Sequence, residues 1–190
     1  MRAPAKVLRY GDLDREVVTD AALRVAERDG LDGLTLRSLA VELGLSHTAL
    51  YHHVKNKQEV IDLLAERVLS DVALPTVGVW QERLRAFAHS ARRSMLRAKG
   101  IAQALQTQPM GGAAVRVDTV VKQLVIDAGV PTAQRESAHL LLTVFIVGSV
   151  TLEQSIDGLP HRLRTSATKR FDQGLDLIIA GFEGEHRVAR

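Results

Sequence analysis

Cysteine is absent from the 190 residues, which excludes disulfides, thiol nucleophiles and Cys-ligated zinc and is compatible with a reducing compartment. Strong charge of one sign is absent as well. Twenty-five basic residues against 22 acidic ones leave a net charge of only +3, too small an excess to mark a nucleic-acid binder by itself. The opening MRAPAKVLRYGD has no apolar core of the kind a secretory leader needs, so a cytoplasmic location is expected. The longest apolar stretch, around Ala138 to Leu152, is interrupted by Thr143, Gly148 and Ser149 and is expected to be a buried helix, with no membrane partner. Repeats and low-complexity tracts are missing. So are HExxH, GxSxG and any phosphate-cradling glycine loop, and the adjacent His52 and His53 diverge by about 100° on a helix, too far apart to share a zinc ion as an i, i+4 pair could. No catalytic residue, metal site or cofactor is expected.

What the chain does contain is concentrated between Leu34 and Lys57, LTLRSLAVELGLSHTALYHHVKNK. Leu36, Leu39, Ala40 and Leu43 recur at i, i+3, i+4, i+7 and predict one short helix with a single apolar stripe and Thr35 as its N-cap. Gly44 ends it, because the residue past a helix terminus often takes the left-handed conformation that glycine adopts without steric cost. Ser46 then caps a second helix, expected to run to Val54. Leu50 and Val54 pin that helix to the first and leave His47, Thr48, Ala49, Tyr51, His52 and His53 largely outside. This is a helix-turn-helix, whose second helix can enter a major groove. Its outer face carries imidazoles and hydroxyls that exchange hydrogen bonds with base edges and phosphates. Asn56 and Glu59 are spaced as a capping box that starts the next helix at once, with Lys57 in its first turn, where ammonium and free backbone N–H groups can meet a phosphate. From Gly33 to Lys57 three bases, Arg37, Lys55 and Lys57, stand against one acid, Glu42.

On these residues, from about Asp14 to about Glu66 and most specifically in LYHHVKNK, the chain resembles the TetR (tetracycline repressor) family of bacterial transcription regulators. The resemblance implies an all-α fold and a homodimer on a double-stranded DNA operator. It also implies base contacts from His47, Thr48 and Tyr51 and backbone contacts from Arg37, His53 and Lys57, with Ser46 and His52 completing the candidate set. An N-terminal DNA-binding domain over residues 1–73, including a connecting helix, and a helical effector-binding and dimerisation domain over 74–190 are expected. The boundary falls at LPTVGV, where Pro75 and Gly78 break the helical pattern. Before the motif, Arg2, Lys6 and Arg9 form a short basic arm, and a supporting helix is predicted from Asp14 to Asp29.

Beyond the boundary, stripes at Trp80, Leu84, Phe87, Ala88, Ala91 and Met95, and at Val117, Val120, Val121, Leu124 and Ala128, predict two helices, followed by two more over Thr132–Asp157 and Arg164–Phe182. In the last, Phe171, Leu175, Ile178 and Phe182 make a seam, and the helix before it carries Leu141, Phe145, Gly148 and Leu152. Together these are the candidate dimer interface, although the pattern alone equally allows both faces to be buried in one subunit.

Resemblance to the family also implies a small organic effector. WQERL at Trp80, DTVVKQL at Asp118, TLEQ at Thr151 and RFDQGLDLIIAGFE near the end match the tetracycline-binding members, but Ala73, Phe87, Ala91 and Ala104 stand where those members place metal- and drug-binding side chains. Only Gln123 and Glu153 remain, so tetracycline with magnesium is not the expected effector. Phe87, Met95 and Phe145 are candidate apolar walls, with His89, Gln103, Gln106, Gln123, His139 and Glu153 as candidate polar contacts. The expected function is a ligand-responsive repressor released from a palindromic operator. The alternative is an effector-independent regulator or architectural protein, for which no ligand-sized cavity is expected.

Overall fold

The computed structural model describes residues 14–107, 111–155 and 161–188, and the basic arm at Arg2, Lys6 and Arg9 lies outside them. Every regular element among the described residues is a helix. The first, α1 (Arg15–Gly33), starts where Asp14 accepts a hydrogen bond from the Val17 N–H at 2.8 Å. It breaks at Gly30, whose φ of 70° is left-handed, so the regular part stops where the sequence predicts. Helix α2 (Leu36–Leu43) begins with a reciprocal cap in which Thr35 and Ser38 each accept the other's backbone N–H at 2.9 and 2.8 Å. Gly44, at φ 67°, closes it.

The second helix of the motif is shorter than expected: α3 spans only His47–Leu50 rather than extending to Val54. Beyond it the N–H groups of His52 and His53 bond back three residues, to Ala49 and Leu50, while Val54 keeps a four-residue bond to Leu50 at 3.1 Å. Imidazoles and a β-branched valine in succession favour helix weakly, and the next cap at Asn56 stops propagation within two residues.

Helix α4 (Lys57–Ser70) is capped by Asn56, which accepts from the Glu59 N–H at 2.9 Å. Glu59 reaches back to the N–H of Lys55 rather than that of Asn56. Val18, Ala22 and Val25 of α1, Leu39 and Leu43 of α2, and Leu50, Val54, Val60 and Leu64 form one dry core, all at most 3% exposed. Each fully buried valine or leucine of this core contributes about 1.5–3 kcal/mol, which is what fixes the angle of so short a helix as α3.

The second half comprises α5 (Trp80–Leu96), α6 (Ile101–Leu105), α7 (Gly112–Asp127), α8 (Arg135–Ser155) and α9 (His161–Val188). A 3-10 turn over Thr132–Gln134 precedes α8, so the helix expected from Thr132 starts three residues later; its expected end at Asp157 lies outside the described residues. Five-residue α6 escapes sequence periodicity because it is little more than one turn. Helix α8 is central, touching α5, α6, α7 and α9, while α4 packs on α5, α6 and α7 and so belongs to both halves. The Ala73 N–H donates to Ser90 Oγ at 2.8 Å and Ser94 Oγ donates to the Val68 carbonyl, fastening the end of α4 to α5.

The seam expected on α9 needs correction. Phe171, Leu175 and Phe182 are buried inside the single chain and Ile178 is half-buried. Phe171 stacks on Phe145 with ring centroids 5.2 Å apart, and Phe182 lies against Trp80 at 6.4 Å. Gly174 makes room for this, since a Cβ there would sit 2.5 Å from the Phe145 ring. An apolar stripe of period 3.6 satisfies itself against whichever apolar face is nearest, and here that face is intramolecular.

Candidate nucleic-acid interface and ligand cavity

His47, Thr48, Tyr51 and His52 are exposed around α3, His53 is half-exposed, and the His47 and Tyr51 rings meet edge to face at 4.9 Å. Leu50 is 1% exposed and Val54 2%, so the pin predicted between α2 and α3 is present. Ser46 is exposed and its hydroxyl oxygen accepts from the Ala49 N–H at 3.2 Å, leaving the hydroxyl proton available. Arg37 is exposed on α2. Glu42, the one acid of the segment, is turned back onto α1, where Arg24 and Arg28 donate to it at 2.8 and 3.1 Å. The hydrogen bond from Arg24, aided by that from Arg28, holds its carboxyl below the usual carboxylate range against partial burial. The acid is thereby neutralised behind the face, and Arg37, Lys55 and Lys57 keep their positive potential in front.

Lys57 is more constrained than its sequence suggests. Its Nζ donates to the Leu31 carbonyl at 2.8 Å, which leaves two of three ammonium donors for another acceptor. The Leu31 N–H in turn donates to the Lys99 carbonyl at 2.8 Å, and the neighbouring Gly100 N–H donates to Gln154 Oε1 at 3.1 Å. Gln154, buried on α8, returns its amide to the Met95 carbonyl at 3.0 Å. Two corners therefore meet back to back. Gly30 and Gly100 both hold positive φ there, and a Cβ on either would lie 3.4 Å from the opposite corner's Cβ atoms. Sequence periodicity gave no signal for this junction, because its partners are 26 to 70 residues apart: Arg97 donates to Glu27 at 2.9 Å and to Asp71 at 2.8 Å across the same seam.

A cavity of about 520 Å³ opens between α4, α5, α7 and α8. Ala65 and Leu69 of α4, Phe87, Ala91 and Met95 of α5, Val117 and Val121 of α7, and Ile146 and Val147 of α8 make it mainly apolar. Of the nine expected contacts, Phe87, Met95, Gln106 and His139 line it. The other five do not. Gln123 is exposed and donates to Asp127 at 2.7 Å, beside Arg83, and Gln103 is exposed on α6. His89 faces α9, with Nε2 3.3 Å from Asp172 and its ring against Phe171 at 5.6 Å. Phe145 is turned to Phe171, and Glu153 is held by Arg92 through bonds of 3.0 and 2.7 Å. Helix phase explains these corrections: a side chain on the right helix can still face the wrong neighbour.

Sequence reasoning missed the carboxylates Asp62, Glu66 and Asp118, which line the cavity. Asp62, Glu66 and Leu69 lie at i, i+4, i+7 and share one face of α4, a signal that could have found the first two. Asp118 faces His139 Nε2 at 2.8 Å and pairs with Lys122 at 2.6 Å. That pairing of α7 with α8 has no sequence trace. Among the described residues no group of three or more His, Asp or Glu side chains forms a metal cage.

On α8 and α9 a separate apolar surface stays open: Leu141 is 51% exposed, Val144 59%, Leu152 62% and Leu177 75%, with Gly148 and Gly181 exposed beside them. Leu141, Gly148 and Leu152 of the expected interface thus lie on an exposed face.

Family models match on both halves. Residues 18–64 match the model of bacterial regulatory proteins of the tetR family, and residues 74–167 that of the tetracyclin repressor-like C-terminal domain. The chain is 35% identical over 198 residues to the class D tetracycline repressor protein of Escherichia coli, covering 90% of this chain and 89% of that protein. Among solved structures it resembles a TetR variant of Acinetobacter baumannii AYE in complex with minocycline, with a TM-score of 0.77, 28% identity and coverage of 90% and 97%. It also resembles BioQ with its double-stranded DNA operator, with a TM-score of 0.74, 25% identity and coverage of 90% and 99%. With both halves matched and the helix-turn-helix built as described, this chain belongs to the TetR family of bacterial regulatory proteins.

Proposed function

We propose that the protein is a ligand-responsive transcriptional repressor, cytoplasmic and without enzymatic activity, that binds a palindromic operator as a homodimer and is released by a small organic effector. The observation that carries this reading is the polar, outward face of α3 pinned by Leu50 and Val54, in the same chain as a ligand-sized cavity. Residues 1–73 form its DNA-binding unit and 74–190 its effector and dimer unit; Pro75 lies in the non-helical stretch between α4 and α5. His47, Thr48 and Tyr51 contact base edges, with Ser46 and His52 beside them, and Arg37, His53 and Lys57 contact phosphates. The cavity of about 520 Å³ favours this over an effector-independent regulator or architectural protein.

A lone four-residue helix reads few base pairs, so a second copy is needed. Two-fold symmetry places the half-sites about one helical turn of ~34–36 Å apart, or a multiple of it, in an inverted repeat. Leu141, Val144, Gly148, Leu152 and Leu177 form the dimer face. Helix α8 is long and apolar enough to cross a bilayer. Leu142, Ile146 and Val150, however, face the protein core, and its apolar outer face joins that of α9, which fits a partner helix pair better than lipid. Leu177→Glu should convert the dimer to a folded monomer in light scattering and weaken operator binding. A variant that stays dimeric would place the interface elsewhere.

Effector and operator act against each other through α4, whose first turn holds Lys57 and whose middle lines the cavity. Each ligand lowers the other's affinity by the same factor, with coupling of ~1–3 kcal/mol. Fragments selected from random DNA should share an inverted repeat that is also found near this protein's gene or a neighbour's, and fluorescence anisotropy on it tests the reading. Lys57→Ala should weaken all sequences alike and reduce the salt slope by about one, whereas His47→Ala and Thr48→Ala should change which bases are preferred. The opposite pattern overturns the assignment of positioning and reading residues.

A further inference from the structure

Polar groups around the cavity have already spent most of their donors. His139 Nε2 lies 2.8 Å from Asp118 Oδ1, so that ring nitrogen is already engaged by the carboxylate. The Thr143 hydroxyl donates to the His139 carbonyl of its own helix at 3.0 Å, and a Gln106 amide hydrogen points to the Ala102 carbonyl at 3.5 Å. Asp62, Glu66 and Asp118 contribute acceptors and negative charge, and no Lys or Arg is among the described lining residues. Their cationic and N–H partners approach from outside that wall: Lys122 at 2.6 Å from Asp118, with 62% of its side chain exposed, Arg116 at 3.8 Å from Glu66, and the Ala113 N–H at 2.8 Å from Glu66. A hydrophobic anion entering this space loses its hydration and gains neither a counter-charge nor a sufficient set of donors. A protonated amine carries both a positive charge and up to three donors into a chamber of acceptors.

We infer that the effector is a hydrophobic cation, an amine-bearing molecule whose apolar body lies against Phe87, Met95 and Ile146 and whose protonated nitrogen sits at the Asp118–His139 edge. This rests on the effector reading above and adds the ligand's charge to it.

Three fluorescent probes with one ring system separate the two. They are 9-(aminomethyl)anthracene, 9-anthracenemethanol and 9-anthracenecarboxylate, titrated into the full chain at pH 7. The amine is expected to bind more tightly than either of the others by at least about tenfold, the scale of a charge-assisted hydrogen bond. Asp118→Asn keeps the shape and removes the charge, and should collapse the amine's preference over the alcohol to within about threefold. Glu66→Gln gives the same readout, with a smaller change, if the first variant does not fold. Equal binding of the three probes, or a preference for the carboxylate, overturns the cationic assignment and leaves the effector cavity standing. Failure of all three to bind overturns both.

Discussion

Leu50→Ala should abolish sequence-specific DNA binding while leaving the larger helical half folded. Leu50 is 1% exposed, and it and Val54 are the two residues that attach α3 to the core shared by α1, α2 and α4. Truncating a buried leucine costs about 2–5 kcal/mol, and at roughly 2–4 °C per kcal/mol for a chain of this size the melting temperature should fall by about 4–20 °C. The effect on DNA should exceed the effect on stability. A helix of four residues has no stability of its own, so its angle is set entirely by packing. Anisotropy against the selected operator, beside thermal unfolding and probe binding in the cavity, distinguishes local from global loss. Retention of wild-type operator affinity would mean that α3 is not the reading element.

The second large effect is expected at Arg92, which is 7% exposed. Its guanidinium donates in a fork to Glu153 of α8 at 3.0 and 2.7 Å and to Thr168 of α9 at 3.0 Å, and lies 5.3 Å from the centre of the Phe171 ring. One side chain on α5 thus ties three helices with charge-assisted bonds and a cation–π contact. Arg92→Ala leaves Glu153 mostly buried and unpaired, and removing one partner of such a pair costs about 3–5 kcal/mol. Replacing both, Arg92→Leu with Glu153→Leu, removes the orphaned charge and should recover most of that loss. Denaturant unfolding of the two variants reads the difference. If the double variant is as unstable as the single one, packing rather than charge accounts for the clamp. Glu153 also shows why its expected role as an effector contact fails: its carboxylate is already committed to Arg92.

The helix-turn-helix was legible because its caps, its corner and the phase of its apolar stripes are local. Thr35, Gly44, Ser46 and Asn56 act on backbone groups within a few residues, and Leu39, Leu43, Leu50 and Val54 show their phase within two turns. Even there the sequence overstated the reading helix, since residues that allow helix at His52 and His53 do not enforce it without a longer run.

Distant contacts left no comparable trace. Apolar periodicity located α5, α7, α8 and α9 but could not say which neighbour each stripe meets, so Phe171, Leu175 and Phe182 were as compatible with a partner as with the core that buries them. The same indifference put His89 and Phe145 among the cavity contacts, and the family resemblance put Gln123 there, although they face Asp172, Phe171 and Asp127.

From its order of residues alone, then, the chain determined the caps and corner of the helix-turn-helix, which surface of α3 is polar, and its resemblance to a family of regulators, because caps, breakers and stripes act over a few residues. Only the tertiary structure decided which acids wall the cavity, which glycines let the two halves touch, and which apolar surface stays exposed. Those outcomes depend on the rotation of each helix against neighbours up to 102 residues away, as in the Gln81–Glu183 contact, and no local energy fixes that rotation.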